Sequence, residues 1–254
     1  MIEKNHIYCG NALELIKGIR DNSIHLIVTS PPYNCNIPYD SYDDNMDIDK
    51  YFFTMGRIFI DLYEKLVKGG RCAVNIPECI QIKSGEIIFL SPRFQHLFNN
   101  AGFITREIIT WVKGYNENHF QGNNTAWGSW CSPSNPYMRS LTEKIIVLSK
   151  ETLELKGEKT DLKPNEFKEW TKNCWFIPTN KDTKHPAVFP IELVKRLIKL
   201  YSWIGNTVLD PFNGIGTTTF TARQLNRDYI GMDLSENYCN IARKKLQQEV
   251  LNYD

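Results

Sequence analysis

This sequence of 254 residues lacks several features, and each absence excludes a class of protein. No apolar run approaches the roughly 18 residues that a membrane-spanning helix requires. The first residues do not form a basic stretch leading into an apolar core, so they do not resemble a signal peptide. None of the seven cysteines belongs to a C-x-x-C pair, which disfavours a metal site and a disulfide framework. We therefore expect a soluble protein of a reducing compartment, the cytoplasm, that holds no metal.

The sequence also lacks an excess of charge of either sign. Its 30 basic and 29 acidic residues give a formal net charge of +1. This balance disfavours indiscriminate binding to nucleic acid. It leaves site-specific binding open, because basic residues can be concentrated on one face of a protein.

Short apolar runs rich in β-branched residues alternate with segments of helical periodicity along most of the chain. The pattern predicts strands near residues 7–9, 26–28, 72–76, 108–112, 144–148, 206–209 and 229–232, and helices near residues 12–17, 50–66, 92–101, 190–203, 217–225 and 236–251. Gly69 and Gly70 are expected to end the second helix. Such alternation predicts an α/β fold in which a mostly parallel sheet carries helices on both faces.

Two segments, at about 114–140 and 151–184, interrupt this alternation, and we predict irregular structure in both. They are the places where substrate specificity could be inserted. The acidic segment from Tyr39 to Asn45 is expected to be an exposed loop. No linker-like stretch divides the chain, so residues 1–254 are predicted to form a single domain.

A glycine-containing turn, Asp210-Pro211-Phe212-Asn213-Gly214-Ile215-Gly216, follows a predicted strand and precedes a predicted helix. Its two glycines permit positive φ angles and close approach by a ligand. The helix that follows offers unpaired N–H groups to an anionic group. A purely structural turn is the alternative.

The residues after this turn narrow the class of ligand. No lysine follows the glycines, which excludes a phosphate-binding P-loop, and Thr219 replaces the third glycine of the dinucleotide fingerprint. A nucleoside that carries an amino-acid tail, such as S-adenosylmethionine, fits better. Asp233, about 20 residues on, can accept both ribose hydroxyls. Alternatively, Asp233 caps the next helix, and the two roles are compatible.

A second turn, Thr29-Ser30-Pro31-Pro32-Tyr33, follows the predicted strand near residues 26–28. Two consecutive prolines fix two φ angles, remove two N–H donors and push Ser30 out of the helical region. The resulting stiff turn presents oxygen acceptors that suit an NH₂ group, and Tyr33 offers a flat face for an extruded base. A proline turn with Tyr33 packed on the core is the structural alternative.

Together, Thr29–Asn34 and Leu209–Thr218 resemble the two signature motifs of amino-group DNA methyltransferases from restriction–modification systems. The catalytic motif precedes the cofactor motif, as in the permuted β class. Three further segments are similar to family segments: Gly10–Leu15, His185–Pro190 and Arg227–Asp233. The resemblance implies a Rossmann-like fold of S-adenosylmethionine-dependent methyltransferases with a circularly permuted motif order. It also implies that the last helix lies beside the strand of residues 7–9.

The resemblance assigns roles to residues of both turns. The catalytic residues would be Ser30, Pro31, Pro32 and Tyr33. The residues that bind S-adenosylmethionine, and its product S-adenosylhomocysteine, would be Asn11, Ala12, Thr29, Ser30, His185, Pro186, Asp210, Pro211, Phe212, Gly214, Gly216, Thr217, Thr218 and Asp233. The family often has aspartate where this chain has Asn11. A neutral amide can still hydrogen-bond the adenine.

Within this family, a catalytic turn that begins with serine favours cytosine N4 as the target, whereas aspartate or asparagine favours adenine N6. Ser30 therefore predicts cytosine N4 methylation by base flipping, with adenine N6 as the alternative. Methylation at cytosine C5 requires a nucleophilic cysteine, usually in a Pro-Cys pair, and no such pair occurs here. An RNA or protein-glutamine methyltransferase would normally have Asn before the prolines and the cofactor motif first, so it is disfavoured. A cofactor-binding module without transfer activity is disfavoured by the intact Ser-Pro-Pro-Tyr turn.

The expected partner is double-stranded DNA, with functional pairing to a restriction endonuclease in a prokaryotic cytoplasm. No membrane partner is expected, and the protein would be a monomer or a homodimer. Polar and aromatic residues of the first irregular segment could contact DNA, namely Lys113, Asn123, Asn124, Trp127 and Arg139. For each of them, a solvated loop residue is the alternative.

Overall fold

The structure is a computed structural model. It describes residues 1–81, 85–116, 119–120, 128–136, 138, 140–180 and 188–248. Within these ranges, none of the helices combines the length and the hydropathy that a membrane-spanning helix needs.

Strands and helices alternate along the described chain. The strands are β1 His6–Cys9, β2 Ile24–Thr29, β3 Leu66–Ile76, β4 Cys79–Gln81, β5 Ile87–Phe89, β6 Ile104–Asn116, β7 His119–Phe120, β8 Thr142–Ser149, β9 Cys174–Ile177, β10 Thr207–Asp210 and β11 Asp228–Asp233. The helices are α1 Ala12–Leu15, α2 Ile48–Lys65, α3 Leu90–Asn100, α4 Pro164–Trp170, α5 Ile191–Tyr201, α6 Thr217–Gln224 and α7 Glu236–Gln248.

One sheet in the described part of the chain holds nine of these strands, in the order β1-β11-β10-β2-β3-β8-β6-β7, with β9 beside β6. The first five strands in this order are parallel to one another. β8 is antiparallel to both β3 and β6. β4 and β5 form a separate hairpin. The predicted mostly parallel α/β sheet is therefore confirmed.

The alternation of side chains along each buried strand explains why helices cover both faces of the sheet. On one face, Ile27 of β2 packs with the buried residues of α2 and α3 in one apolar cluster. On the other face, Leu26 and Val28 pack with α5, α6 and α7. The sheet is thus buried on both sides, and its ends are the places left for a ligand.

We predicted that Gly69 and Gly70 end α2, and this prediction is wrong. α2 ends at Lys65, and Gly69 and Gly70 lie inside β3. A Cβ on Gly69 would lie 1.9 Å from the backbone oxygen of Glu154. The glycine pair therefore allows a neighbouring segment to cross β3 closely, which is a packing requirement and not a helix stop.

The prediction of irregular structure for 151–184 is also wrong in part. This segment contains α4 and β9, and β9 extends the main sheet next to β6. Trp170 and Trp175 are buried in the cluster formed with α5. A large part of this segment is therefore core. Of the 114–140 segment, β6 continues to Asn116 and pairs with β7.

Candidate active site

The two turns singled out in the sequence meet at one edge of the sheet. β2 and β10 are adjacent and parallel, so the turn after Thr29 and the turn after Asp210 emerge side by side. The hydroxyl of Thr29 donates to Asp210 Oδ1 at 2.8 Å across 181 residues of sequence. Ligands of open α/β sheets bind at this carboxyl edge.

A cavity of about 600 Å³ opens at this edge, and residues of both turns line it. Most of the predicted site residues face the cavity: Asn11, Ala12, Ser30, Pro32, Tyr33, Asp210, Pro211, Phe212, Gly214, Thr217, Thr218 and Asp233. Pro31, Thr29 and Gly216 are not among the lining residues. His185 and Pro186 lie outside the described residues.

Two carboxyl groups lie at the glycine-turn end of the cavity. Asp210 is 3% exposed, and burial raises the pKa of its carboxyl to about 6. Its Oδ1 also accepts the amide of Phe212 at 3.1 Å. Burial likewise raises the pKa of Asp233. A cationic or hydrogen-bond-donating ligand would therefore stabilise the ionised form of both carboxyl groups.

Asp233 holds the glycine turn in place. Its Oδ2 accepts the amide of Gly214 at 2.8 Å, and its Oδ1 accepts the amide of Ser235 at 2.9 Å. The helix that follows is capped by Ser235, whose Oγ accepts the amide of Tyr238. The alternative role of Asp233 as the cap of that helix is thus taken by Ser235.

Gly216 is required by backbone conformation and by packing. Its φ is +84°, and an added Cβ would lie 2.7 Å from the Cβ of Ala242 on α7. Because α6 begins at the next residue, its first N–H groups have no intrahelical partner. Asn213 Nδ2 is buried with no hydrogen-bond partner in the described chain. This end of the cavity therefore holds polar groups that a ligand could satisfy.

The proline turn forms the opposite wall and is fixed from behind. The hydroxyl of Tyr51, a fully buried residue of α2, donates to the carbonyl of Pro32 at 2.8 Å. Among the described residues, nothing donates to the carbonyl of Pro31. The Ser30 hydroxyl and the Pro31 carbonyl thus form a pair of oxygens on a rigid turn.

Tyr33 is half-buried, and its hydroxyl is held in a polar network that sequence reasoning did not foresee. The hydroxyl lies 2.5 Å from Ser30 Oγ and accepts from Asn75 Nδ2 at 2.9 Å. Asn75 Nδ2 also donates to Glu143 Oε2 at 2.5 Å. Asn75 belongs to β3 and Glu143 to β8, so only the folded sheet brings them together.

Lys113 was predicted to contact DNA, and it lines the cavity instead of standing on an open loop. Its Nζ forms an ion pair with Glu143 Oε1 at 2.5 Å. The other predicted DNA contacts, Asn123, Asn124, Trp127 and Arg139, lie outside the described residues. The DNA contacts therefore stay a prediction.

The segment of residues 34–46, called the strap here, runs along the cavity. Its acidic part, from Tyr39 to Asn45, was expected to be an exposed loop. That expectation is wrong for Asp44, which is 2% exposed. The carboxylate of Asp44 accepts the backbone amides of Asn34, Cys35 and Ile37 at 2.7–3.0 Å. The acidic sequence of this segment indicates exposure, because a carboxylate is rarely buried unless hydrogen-bond donors surround it. The sequence alone does not show that three backbone amides surround Asp44.

Comparisons with known proteins agree with this geometry. A family model described as DNA methylase, for N6- and N4-methyltransferases, matches residues 24–244. Type II methyltransferase M.MjaI from Methanocaldococcus jannaschii is 30% identical, over 96% of this chain and 92% of that protein. The crystal structure of TTHA0409, a DNA modification methylase from Thermus thermophilus complexed with S-adenosyl-L-methionine, is 25% identical. It superimposes with a TM-score of 0.76 over 96% of this chain and 94% of that chain. PvuII DNA methyltransferase, described as cytosine-N4-specific, has the same fold, with a TM-score of 0.72 at 18% identity over 97% of this chain and 89% of that chain.

Proposed function

The chain belongs to the DNA methylase family of N6- and N4-methyltransferases, and we propose that it methylates the exocyclic N4 amine of cytosine in duplex DNA. One observation carries the proposal. Ser30 of the proline turn and Asp210 of the glycine turn line one cavity, and the hydrogen bond from Thr29 to Asp210 holds the two turns together.

The cofactor is S-adenosylmethionine, which supplies an electrophilic methyl group. The glycine-turn end of the cavity fits it. The buried carboxylate of Asp210 suits its ammonium group, and the first N–H groups of α6 suit its carboxylate. The unpartnered Asn213 Nδ2 would find a partner on the same ligand. The remaining lone pairs of Asp233 would accept the ribose hydroxyls.

The proline turn would bind the target amine. Ser30 Oγ and the Pro31 carbonyl would accept its two protons, which draws the nitrogen lone pair out of conjugation with the base. Tyr33 would stack on the flipped base. Catalysis would then consist mainly of positioning and polarisation, without a covalent enzyme intermediate. Pro31 would act through its carbonyl, to which no group of the described residues donates.

Cytosine N4 is favoured over adenine N6 by Ser30 at the first position of the turn. The order of the two turns in the chain, with the catalytic turn first, supports the permuted β class. We further propose that residues 1–254 act as a single catalytic domain on double-stranded DNA and protect it from a partner endonuclease.

The test is to incubate the protein with labelled S-adenosylmethionine and unmethylated DNA, digest the DNA, and identify the methylated nucleoside by mass spectrometry. N4-methylcytosine is expected. Detection of N6-methyladenine instead would show that the target is adenine N6 and not cytosine N4. Label in RNA or protein but not in DNA would contradict the proposal. The Tyr33→Ala variant serves as the inactive control: it should remain folded and lose transfer.

A further inference from the structure

The hydroxyl of Tyr33 connects Ser30 to a charged group on a different strand. Besides Ser30 Oγ and Asn75 Nδ2, it lies 3.2 Å from the Asn75 carbonyl and 3.4 Å from Glu143 Oε2. Glu143 is 9% exposed, and its other oxygen is paired with Lys113. A continuous polar path therefore runs from Ser30 through Tyr33 to the Glu143 carboxylate.

The orientation of the Asn75 amide follows from the charge of Glu143. The side chain must present Nδ2 to Glu143 Oε2, because the reversed amide would place two acceptors against each other. Its two protons then go to Glu143 Oε2 and to the oxygen of Tyr33. Asn75 thus occupies one lone pair of the Tyr33 oxygen.

The single proton of Tyr33 has two possible directions. It can point to Ser30 Oγ, or away from Ser30 to the Asn75 carbonyl and the Glu143 carboxylate. Burial and the neighbouring Glu143 raise the pKa of Tyr33 well above its usual range, so the phenol keeps this proton. A negative charge and a carbonyl on one side favour the direction away from Ser30, since hydrogen bonds to charged acceptors are the stronger ones.

This direction decides what Ser30 offers to a substrate. When Tyr33 donates away from Ser30, the Ser30 hydroxyl donates to Tyr33 and its lone pairs are free to accept a proton from an amine. In the opposite direction, the Ser30 hydroxyl proton would point into the cavity. It would then compete for the nitrogen lone pair that must attack.

We propose that Glu143 is a positioning residue that, through Tyr33, orients the Ser30 hydroxyl as an acceptor for the target amine. The inference rests on the proposed function, because it assigns Ser30 to that amine. Asn75 supports the arrangement by filling the remaining lone pair of Tyr33. Glu143 itself need not touch the base.

The test compares Tyr33→Phe and Glu143→Gln with the wild type under saturating S-adenosylmethionine and DNA. Tyr33→Phe keeps the aromatic ring for stacking but removes the link, and Glu143→Gln keeps the shape but removes the charge. Each is expected to lower kcat about tenfold to a hundredfold. KM for DNA and the dissociation constant for S-adenosylmethionine, measured by calorimetry, should stay within about twofold. The double variant should be no slower than the slower single variant, because both changes interrupt one path.

Lys144→Gln is the matched control. Lys144 follows Glu143 in β8 and points to the other face of the strand, where its Nζ donates to Thr110. It should leave kcat unchanged.

Retention of half or more of the wild-type kcat by both variants would overturn the inference, as would losses that multiply in the double variant. If the Glu143→Gln protein does not fold, the kcat of Tyr33→Phe alone decides whether the inference holds. An inactive wild type contradicts the proposed function instead.

Discussion

At the scale of a single residue, the buried carboxylate of Asp210 lowers the stability of the folded protein, whereas the same charge favours binding of a cationic ligand group. Its carboxyl is buried at the base of the cavity, and burial raises its pKa to about 6 from an ordinary 3.8. Between these two values the folded protein binds more protons than the unfolded chain. The contribution of Asp210 to stability therefore falls as the pH rises from about 4 to about 6, and stays at its lower value above that.

The Asp210→Asn variant is expected to lack this loss of stability between about pH 4 and pH 6, and to bind the cofactor more weakly. An amide oxygen can still accept from Thr29 and Phe212, so the turn should keep its shape. The variant should be more stable than the wild type at pH 8, by about 1–3 kcal/mol, and the difference should vanish near pH 4. Urea unfolding of the ligand-free protein at several pH values measures this.

The same Asp210→Asn protein should bind S-adenosylmethionine about tenfold to a hundredfold more weakly, because it would lose the charge-assisted hydrogen bond that we propose between Asp210 and the ammonium group. Isothermal calorimetry at pH 8 gives the dissociation constant. Asp43→Asn, which removes an exposed carboxylate of the strap, is the control and should change neither quantity. Unchanged affinity in Asp210→Asn would remove Asp210 from the cofactor site.

At the scale of elements, the strap has no regular structure of its own and depends on one carboxylate. Asp44 accepts three amides of the strap, while Asn34 and Met46 exchange two further hydrogen bonds. The strap also reaches the glycine-turn side, where Ser235 Oγ donates to Asp40. It therefore spans both halves of the cavity.

Asp44→Ala should release the strap from the cavity wall. One buried and two partly buried amides would lose their acceptor, at a cost of about 2–4 kcal/mol in the free energy of unfolding. Amide hydrogen exchange should accelerate in residues 34–46 more than in the sheet. Asp43→Ala, one residue away and exposed, should leave exchange unchanged. Equal acceleration across the whole sheet would show that Asp44 supports the fold in general and not the strap.

Elements with a clear periodicity were predictable from the sequence, and pairing across the sheet was not. The strands before both turns and the amphipathic α2 and α5 carry unambiguous patterns. The short α4 was missed, although Pro164 at its first turn and Glu166, which accepts the Lys163 amide, are a recognisable start signal. Asn75 and Glu143 are 68 residues apart and meet only because β3 pairs with β8. No local pattern carries that information.

At the scale of the whole molecule, the sheet order explains how a late turn and an early turn form one site. β1 pairs with β11 and lies beside α7, where Arg243 donates to the Ile7 carbonyl and Cys239 to that of Tyr8. α7 thus runs antiparallel to β1, and its last turns lie near the beginning of β1. The implied placement of the last helix beside this strand is confirmed.

This proximity predicts that a circular permutant with the opposite motif order will fold. The ends of the chain would be joined by a flexible linker of about ten residues, and the chain opened between the exposed residues Gly157 and Glu158. The glycine turn would then precede the proline turn. Every strand pairing of the main sheet would be kept, so the permutant should bind S-adenosylmethionine within a few-fold of the wild type.

A second permutant, with the same linker but opened at His25 inside β2, is the matched control for this prediction. β2 is a central strand paired with β10 and β3, so breaking it should abolish folding and binding. Circular dichroism and calorimetry on both proteins give the result. If the first permutant also failed to fold, the order of the two turns along the chain would itself be needed to form the site. If it binds the cofactor, their order is irrelevant once the sheet has brought Thr29 and Asp210 together.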